Sequence, residues 1–200
     1  MSTRRAETDF PIHDLFAERW SPRSFTDEEI DHGTLGSLLS AAQWAASAFN
    51  EQPWRFVLGR RGDEVFEAIF AALMPGNQPW AGKAAALAIV VAKDTYSHHG
   101  KPNAHAWYDC GQAVAQLVGE ATAQGWSVHQ MAGYSAEAAR EAFGIPDDFQ
   151  PVAAIAIGRL GPAEALPAPL DEREAAPRTR RPLAETVFGK QWEQASQLVD

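Results

Sequence analysis

The stretch "AAALAIVVAK", residues 84–93, is a continuous apolar run with the length of a β-strand. A strand without a polar face is typical of a sheet that is covered on both sides. We therefore predict that residues 84–93 form a buried strand, and that helices from the flanking sequence pack on the two faces of its sheet.

The sequence on either side of this strand alternates between strand and helix patterns. Three further strands are predicted, over "WRFVLG" (54–59), "SVHQ" (127–130) and "PVAAIAIG" (151–158). Apolar residues at three- and four-residue spacing predict helices over 35–46 and 104–124, the second with Trp107, Val114, Leu117, Val118 and Ala121 on one face. Two shorter helices are predicted, one from Val65 to Leu73 and one capped by Ser135. Pro, Gly and Asn make residues 74–83 a predicted loop.

Residues 1–200 are predicted to form a single domain, an α/β or α+β sandwich with about four strands. After Gly161 the composition changes to "PAEALPAPLDEREAAP", which cannot build a core of its own. We expect residues 161–200 to be an extended C-terminal arm that leads through "RTRRPLAETVF" to a final short helix.

The charge and hydropathy patterns exclude several classes of function. The chain has 17 Lys and Arg against 26 Asp and Glu, a formal net charge of −9, which disfavours binding to nucleic acid or to an anionic membrane. No apolar run is long enough to span a bilayer, and the charged start lacks a signal core. A soluble cytoplasmic protein is expected. Cys110 is the only cysteine, so an internal disulfide is excluded.

Two basic clusters stand out against this acidic background. "ERWSPRSF" places Arg19, Ser21 and Arg23 at alternate positions, and "PRTRRP" contains Arg178 and Arg180 around a threonine. Guanidinium groups offer paired donors that match the oxygens of a phosphate. We predict that the two clusters share an anion site, with the phosphate held by side chains because the sequence has no Gly-rich phosphate loop.

Other chemistry-bearing residues have less support. His105 and Asp109 are four residues apart, which is metal-ligand spacing on a helix, but no third ligand accompanies them and we expect no metal site. His98 and His99 are expected in a solvated loop, and Cys110 in the core. We assign no side chain as a catalytic acid, base or nucleophile.

Five motifs in order resemble the FMN-dependent nitroreductase family, here a short member: "ERWSPRSF", "AASAFNEQPWRF", "HQMAGY", "GIPDDFQPVAAIAIG" and "PRTRRPL". The resemblance covers about residues 15–188. It implies an α+β three-layer sandwich with a central mixed sheet flanked by helices. It also implies a domain-swapped homodimer with FMN at the interface and an extended C-terminal arm.

The resemblance also implies which residues bind FMN. Arg19, Ser21, Arg178 and Arg180 would hold the phosphate and ribityl chain, with Trp20 beside them, and Arg23 would reach the N1–C2=O edge of the ring. A positive charge there stabilises reduced flavin, which is anionic at N1. The ring would also be approached by the backbone of Ala132 and Gly133, by Asn77, and, from the other subunit, by Ser47, Ala48, Asn50 and Gln52. Trp80 stands near a position where some members carry a lysine.

The activity implied is transfer of two electrons from NADH or NADPH, through FMN, to a small organic acceptor such as a nitroaromatic or a quinone, in ping-pong order. Flavin N5 is the reactive centre. Three alternatives stay open: a flavoenzyme of the same fold acting as a dehalogenase, azoline oxidase or flavin-fragmenting enzyme; a flavin-binding protein without efficient turnover; and a metal-dependent hydrolase that uses His105 and Asp109.

Overall fold

The computed structural model describes residues 4–199 and has a four-stranded sheet at its centre. The strands are β1 (Trp54–Arg60), β2 (Ala86–Lys93), β3 (Ser127–Met131) and β4 (Phe149–Gly158). Their order across the sheet is β1-β2-β4-β3. Strand β2 is one of the two central strands and is buried up to Ala92, which confirms the prediction for residues 84–93.

The sheet is antiparallel throughout, so the prediction of a mixed sheet is wrong for the part of the chain described. Strands β2 and β3 do run in the same direction, since each is antiparallel to β4. They are not neighbours because β4 lies between them. The apolar character of β2 therefore reflects coverage of both faces rather than parallel pairing.

Seven α-helices accompany the sheet within residues 4–199: α1 (Asp14–Glu18), α2 (His32–Gln43), α3 (Glu64–Ala72), α4 (Gln78–Ala81), α5 (Ala106–Ala123), α6 (Ala136–Phe143) and α7 (Leu170–Ala175). One face of the sheet packs against α2 and α5, and the other packs against α3, α4 and α6. Alternate residues of β2 enter the two cores, for example Val90 on the α5 side and Ile89 on the α3 side. The predicted three-layer α+β sandwich is confirmed.

The helix boundaries follow from capping side chains. Asp31 accepts the Thr34 N–H at 2.9 Å at the start of α2, and Asp63 accepts the Phe66 N–H at 2.7 Å at the start of α3. Ser135 caps α6 as predicted. Gly144 ends α6 in the left-handed conformation, with φ 59°.

Two local predictions are wrong. Residues 74–83 contain the short helix α4, whose first turn accommodates Pro79 and whose Trp80 is buried against the sheet. Trp107 is 56% exposed, whereas Val114, Leu117, Val118 and Ala121 are buried. Trp107 lies in the first turn of α5, where Ala106 and Cys110 are the apolar residues that enter the core instead.

The C-terminal arm is present from residue 161, but its helix is not where we predicted it. Helix α7 precedes Arg178, and the described residues beyond Arg181 form a short 3-10 turn at Leu183–Glu185 and a β-bridge between Phe188 and Ala195. Helix α7 forms there because Glu174 is buried against the turn at Arg23. No helix formed by residues 4–199 combines the length and the apolar content needed to cross a bilayer.

Candidate functional site

The structure brings the two basic clusters together. A cavity of about 540 Å³ lies between the segment before α1 and the C-terminal arm. It is lined by Arg19 from the first cluster and by Arg178, Arg180 and Arg181 from the second. Residues about 160 positions apart in the sequence therefore share one pocket.

Arg178 holds the arm in this position. Its guanidinium donates to the carbonyl oxygens of Ala17 at 2.8 Å and Arg19 at 2.9 Å. The Arg19 guanidinium in turn donates to Ser21 Oγ at 3.3 Å. Trp20 is half-buried beside the pocket, with the Arg4 guanidinium 4.4 Å from its ring centroid.

The pocket is electrostatically prepared for an anion. Burial lowers the pKa of Arg19, and the nearby Arg180 lowers it further. Burial also lowers the pKa of Arg178, with added repulsion from Arg19, Arg180 and Arg4. Within residues 4–199, no carboxylate forms an ion pair with Arg19, Arg178 or Arg180. Glu7 and Asp9 also line the pocket, but neither forms an ion pair with these arginines in the described residues. Clustered, partly desolvated cations that are not ion-paired favour binding of an anion.

Arg23 points to a different environment. Its Nη1 atom lies 3.7 Å from Oε2 of the buried Glu174, which comes from helix α7. His129 on β3 lies nearby, with its Nδ1 2.9 Å from the Pro22 carbonyl oxygen and its ring 4.6 Å from that of Trp80. Burial lowers the pKa of His129, and the Arg23 charge adds to this. Because the Pro22 carbonyl oxygen can only accept a hydrogen bond, Nδ1 of His129 is the donor.

Trp80 is a core residue rather than a pocket residue. It is 1% exposed and packs against Phe25, with the ring centroids 6.2 Å apart. Its indole Nε1 is buried without a hydrogen-bond partner in the described residues. Arg23 therefore stays the predicted cation for the flavin ring.

Asn77 and Gly133, two of the predicted site residues, are in direct contact. Asn77 Nδ2 donates to the Gly133 carbonyl oxygen at 2.9 Å, which fixes the turn that contains Ala132 at the end of β3. A Cβ atom on Gly133 would lie 2.6 Å from Asn77 Nδ2. A side chain at this position would therefore displace the Asn77 amide.

Replacing Gly133 with Ala is expected to lower the free energy of unfolding by about 1 to 2 kcal/mol, because the added methyl displaces the Asn77 amide from its hydrogen bond. Urea denaturation measures the change. Gly76→Ala is the control, since a Cβ there meets nothing within 4 Å. Equal stability of the two variants would contradict the assigned contact.

The loop 47–52 is strained and held from several sides. Phe49, Asn50 and Gln52 have φ of 54°, 56° and 51°, in the left-handed region that non-glycine residues rarely adopt. The Gln52 N–H donates to Ser47 Oγ at 3.0 Å, and the Gln52 side chain donates to the Asn50 carbonyl oxygen at 3.1 Å. Strain of this kind persists where the surroundings impose it, and it clusters at functional sites.

Helix α5 and the loop before it supply these restraints. Asp109 is 3% exposed and accepts the Ala48 N–H at 3.0 Å. Glu51 accepts the Ser97 N–H at 2.6 Å and lies 3.6 Å from His98 Nδ1. Asp109 thus holds the loop, while His105 is exposed, so these two residues do not face a common site.

The loop and the arginine pocket lie at different ends of α5. The loop is attached at Asp109, whereas Leu15 of α1, next to the pocket, packs near Gly119. Ten residues of α-helix separate these points by about 15 Å. Within one chain, the predicted loop residues Ser47, Ala48, Asn50 and Gln52 are therefore not gathered around the arginine cluster.

The remaining candidates belong to structure or surface. Cys110 is fully buried, and burial, with a contribution from Asp109, raises the pKa of its thiol to about 12. This confirms its placement in the core. His98 and His99 are exposed, as predicted. In residues 4–199 no group of three or more His, Cys, Asp or Glu side chains is arranged to hold a metal ion.

Sequence reasoning missed the two buried carboxylates. Glu174 lies in "DEREAAP", a charged segment that is usually solvent-exposed, so no local signal distinguishes it. Asp109 precedes the buried Cys110 on an otherwise apolar helix face. That position is a signal for burial, although it does not indicate the backbone N–H of Ala48 as the partner.

A three-layer α+β sandwich whose C-terminal arm completes an arginine-lined pocket is the class of protein that the fold and site define. The family model described as "Nitroreductase family" matches residues 16–159. This chain belongs to the nitroreductase family, which confirms the resemblance seen in its motifs.

Individual relatives agree with this assignment. The chain is 36% identical over 146 residues to an uncharacterized 15.4 kDa protein of Mycolicibacterium smegmatis, covering 69% of this chain and 97% of that one. It is 30% identical to an Archaeoglobus fulgidus protein provisionally named NADH dehydrogenase/NAD(P)H nitroreductase, covering 70% of this chain and 80% of that one. The structure is similar to the crystal structure of an oxidoreductase containing FMN, with a TM-score of 0.90, 39% identity, and coverage of 96% of this chain and 98% of that one.

Proposed function

We propose that this chain is an FMN-dependent oxidoreductase that uses NADH or NADPH to reduce a small organic acceptor such as a nitroaromatic or a quinone. The observation that carries the proposal is the convergence of Arg19, Arg178 and Arg180 on one pocket without a paired carboxylate in the described residues. Family membership and the similarity to an oxidoreductase containing FMN support it.

The donor set fits the phosphate end of FMN. Arg19 and Arg180 would bind the phosphate oxygens. The Arg178 guanidinium holds the arm and would add positive charge to the wall of the pocket. Ser21 would add a hydroxyl next to Arg19, and Trp20 would border the ribityl chain. A phosphate dianion would also relieve the repulsion that lowers the pKa of Arg19 and of Arg178.

The ring end would lie toward Arg23 and the turn at the end of β3. Arg23 follows Arg19 by four residues and keeps 31% of its side chain exposed, so it is available to the N1–C2=O edge. The backbone of Ala132 and Gly133 would approach N5, with Asn77 holding that turn in place. When bound, FMN would supply the hydride chemistry at N5, accepting two electrons from the donor and passing them to the acceptor.

Anaerobic titration of the FMN-loaded protein tests this function. We expect the purified protein to take up FMN, and NADH or NADPH to bleach the flavin absorbance, with colour returning when a quinone is added. Titration with the oxidised nucleotide is the control and is expected to leave the colour unchanged. A protein that takes up no FMN would contradict the proposal. Uptake without bleaching would instead support a flavin-binding protein.

A homodimer would complete the site, because the loop 47–52 lies about 15 Å along α5 from the anchor of the arginine pocket. This loop lies among exposed aromatic residues: Trp44, Phe49, Trp107 and Tyr108. The Ala48–Asp109 hydrogen bond joins the loop to the helix segment that carries Trp107 and Tyr108. A second copy of the chain would bury this surface. The loop of each chain would then contact the flavin that is bound mainly by the other chain, as the domain-swapped arrangement requires.

Replacing Phe49 with Asp is expected to weaken this homodimer about tenfold or more, because Phe49 is 84% exposed in the single chain and would be buried by the partner. Asp tolerates the left-handed φ at this position. Sedimentation velocity measures the effect. Leu160→Asp, at the opposite end of the sheet, is the control. A monomeric wild-type protein, or equal dimerisation of both variants, would contradict the assigned interface.

Two further expectations complete the proposal. The alternatives within the same fold, a dehalogenase, azoline oxidase or flavin-fragmenting enzyme, are distinguished by repeating the titration with a panel of other acceptors in place of the quinone. A cytoplasmic location stays a prediction from the sequence.

A further inference from the structure

Helix α7 of the arm carries a buried carboxylate that the proposed function does not use. The Glu174 side chain is 2% exposed. Its Oε1 atom accepts the backbone N–H of Arg23 at 2.7 Å and that of Ser24 at 3.1 Å. Glu174 therefore fixes the turn from which the Arg23 side chain extends.

The second oxygen of this carboxylate faces the Arg23 guanidinium. Oε2 lies 3.7 Å from Arg23 Nη1 and is buried without a hydrogen-bond partner in the described residues. A charged oxygen in that position is stabilised chiefly by the opposite charge beside it. Arg23 itself is 31% exposed, so its other side is open to a ligand.

The arm is held on both sides of this contact. The Arg4 guanidinium donates to the Glu174 carbonyl oxygen, and Arg178 donates to the carbonyl oxygens of Ala17 and Arg19. The same segment of arm thus completes the arginine pocket and places a carboxylate behind Arg23. The arm therefore contributes both to the anion-binding pocket and to the electrostatic surroundings of Arg23.

We infer that Glu174 is a positioning residue that orients Arg23 and partly neutralises it, and thereby lowers the reduction potential of the bound flavin. This rests on the proposed function. Hydride transfer to N5 delivers two electrons and one proton, so the N1–C2=O edge of reduced flavin is left with a negative charge. The Arg23 cation favours that charge, and the buried Glu174 carboxylate opposes it.

The test is the midpoint potential of FMN bound to Glu174→Gln. Gln keeps an oxygen for the Arg23 and Ser24 N–H groups but removes the charge. We expect binding of reduced over oxidised FMN to gain about tenfold, which is a rise of about 30 mV for a two-electron couple. Glu172→Gln removes the same charge from an exposed position of α7 and is expected to leave the potential unchanged.

A second comparison does not depend on the stability of Glu174→Gln. In Arg23→Gln, the Glu174 carboxylate stays buried without its cation, whereas the double variant Arg23→Gln/Glu174→Gln removes both charges. Removing both members of a buried pair is usually tolerated. The potential of the double variant is expected to exceed that of Arg23→Gln by a similar tenfold ratio.

The outcomes separate this inference from the function on which it rests. Wild-type protein that takes up no FMN overturns both. Normal FMN uptake, with equal potentials in Glu174→Gln and wild type, or in Arg23→Gln and the double variant, overturns only the role of Glu174. Equal shifts in Glu174→Gln and Glu172→Gln would also overturn it, because any acidic residue on α7 would then have the same effect.

Discussion

Replacing Arg19 with Ala is expected to weaken FMN binding by about 10- to 100-fold while the fold stays intact. A hydrogen bond to a charged group contributes about 1.5 to 3 kcal/mol, and each 1.4 kcal/mol is a factor of about ten in the dissociation constant. The Arg19 side chain is half-buried and donates to Ser21 Oγ. Its backbone carbonyl, which accepts Arg178 and holds the arm, is kept in the Ala variant.

Fluorescence titration of the apoprotein with FMN measures this loss, and repeating it at higher salt is expected to weaken wild-type binding more than that of Arg19→Ala. Arg173→Ala is the matched control, since it removes an exposed arginine from α7. Equal dissociation constants for Arg19→Ala and Arg173→Ala would remove Arg19 from the phosphate site and would leave net charge as the explanation.

Replacing Gly59 with Ala is expected to lower the free energy of unfolding by about 3 kcal/mol. Gly59 is on β1, where a Cβ atom would lie 2.2 Å from the Phe66 backbone nitrogen and 2.7 Å from its Cα. Backbone atoms of α3 cannot rotate away as a side chain would, so the helix must shift off the sheet. Overpacking in a core costs about 1 to 3 kcal/mol, and contact with backbone places this site at the upper end.

Chemical denaturation measures the change, and Gly36→Ala provides a control of opposite sign. Gly36 is inside α2, and a Cβ there meets nothing within 4 Å, so Ala should stabilise the protein by up to about 1 kcal/mol through helix propensity. A Gly59→Ala variant as stable as Gly36→Ala would show that α3 does not press on β1 as the structure has it.

Much of the fold could be predicted because the relevant forces act over short stretches of chain. Strand β2 follows from nine consecutive apolar residues, 84–92, and α6 follows from a Ser135 cap and the Gly144 stop. The helices that were missed or misplaced, α1, α4 and α7, are too short for a periodic pattern. Each has a buried residue: Ala17 in α1, Trp80 in α4 and Glu174 in α7.

The chemistry of the candidate site could be predicted better than the arrangement of the segments around it. The residue types of the arginine clusters indicate an anion, and the family motifs indicate which one. The antiparallel sheet, by contrast, depends on β4 inserting between β2 and β3, and no residue in those strands encodes that choice locally. The strain at Phe49, Asn50 and Gln52 was likewise invisible, because these residues are ordinary in sequence and are held by Asp109 from about 60 positions away.

The sequence by itself determined the family, the sandwich of helices on both faces of a sheet, and the existence of two cationic clusters in an acidic chain. Only the tertiary structure decided that Arg19 and Arg178 meet in one pocket, that Glu174 lies behind Arg23, and that the loop 47–52 lies away from them. The physical reason is the separation along the chain over which each interaction acts. Helix caps and apolar periodicity act over a few residues, whereas a pocket or a buried ion pair forms only when the folded core brings distant segments within hydrogen-bond distance.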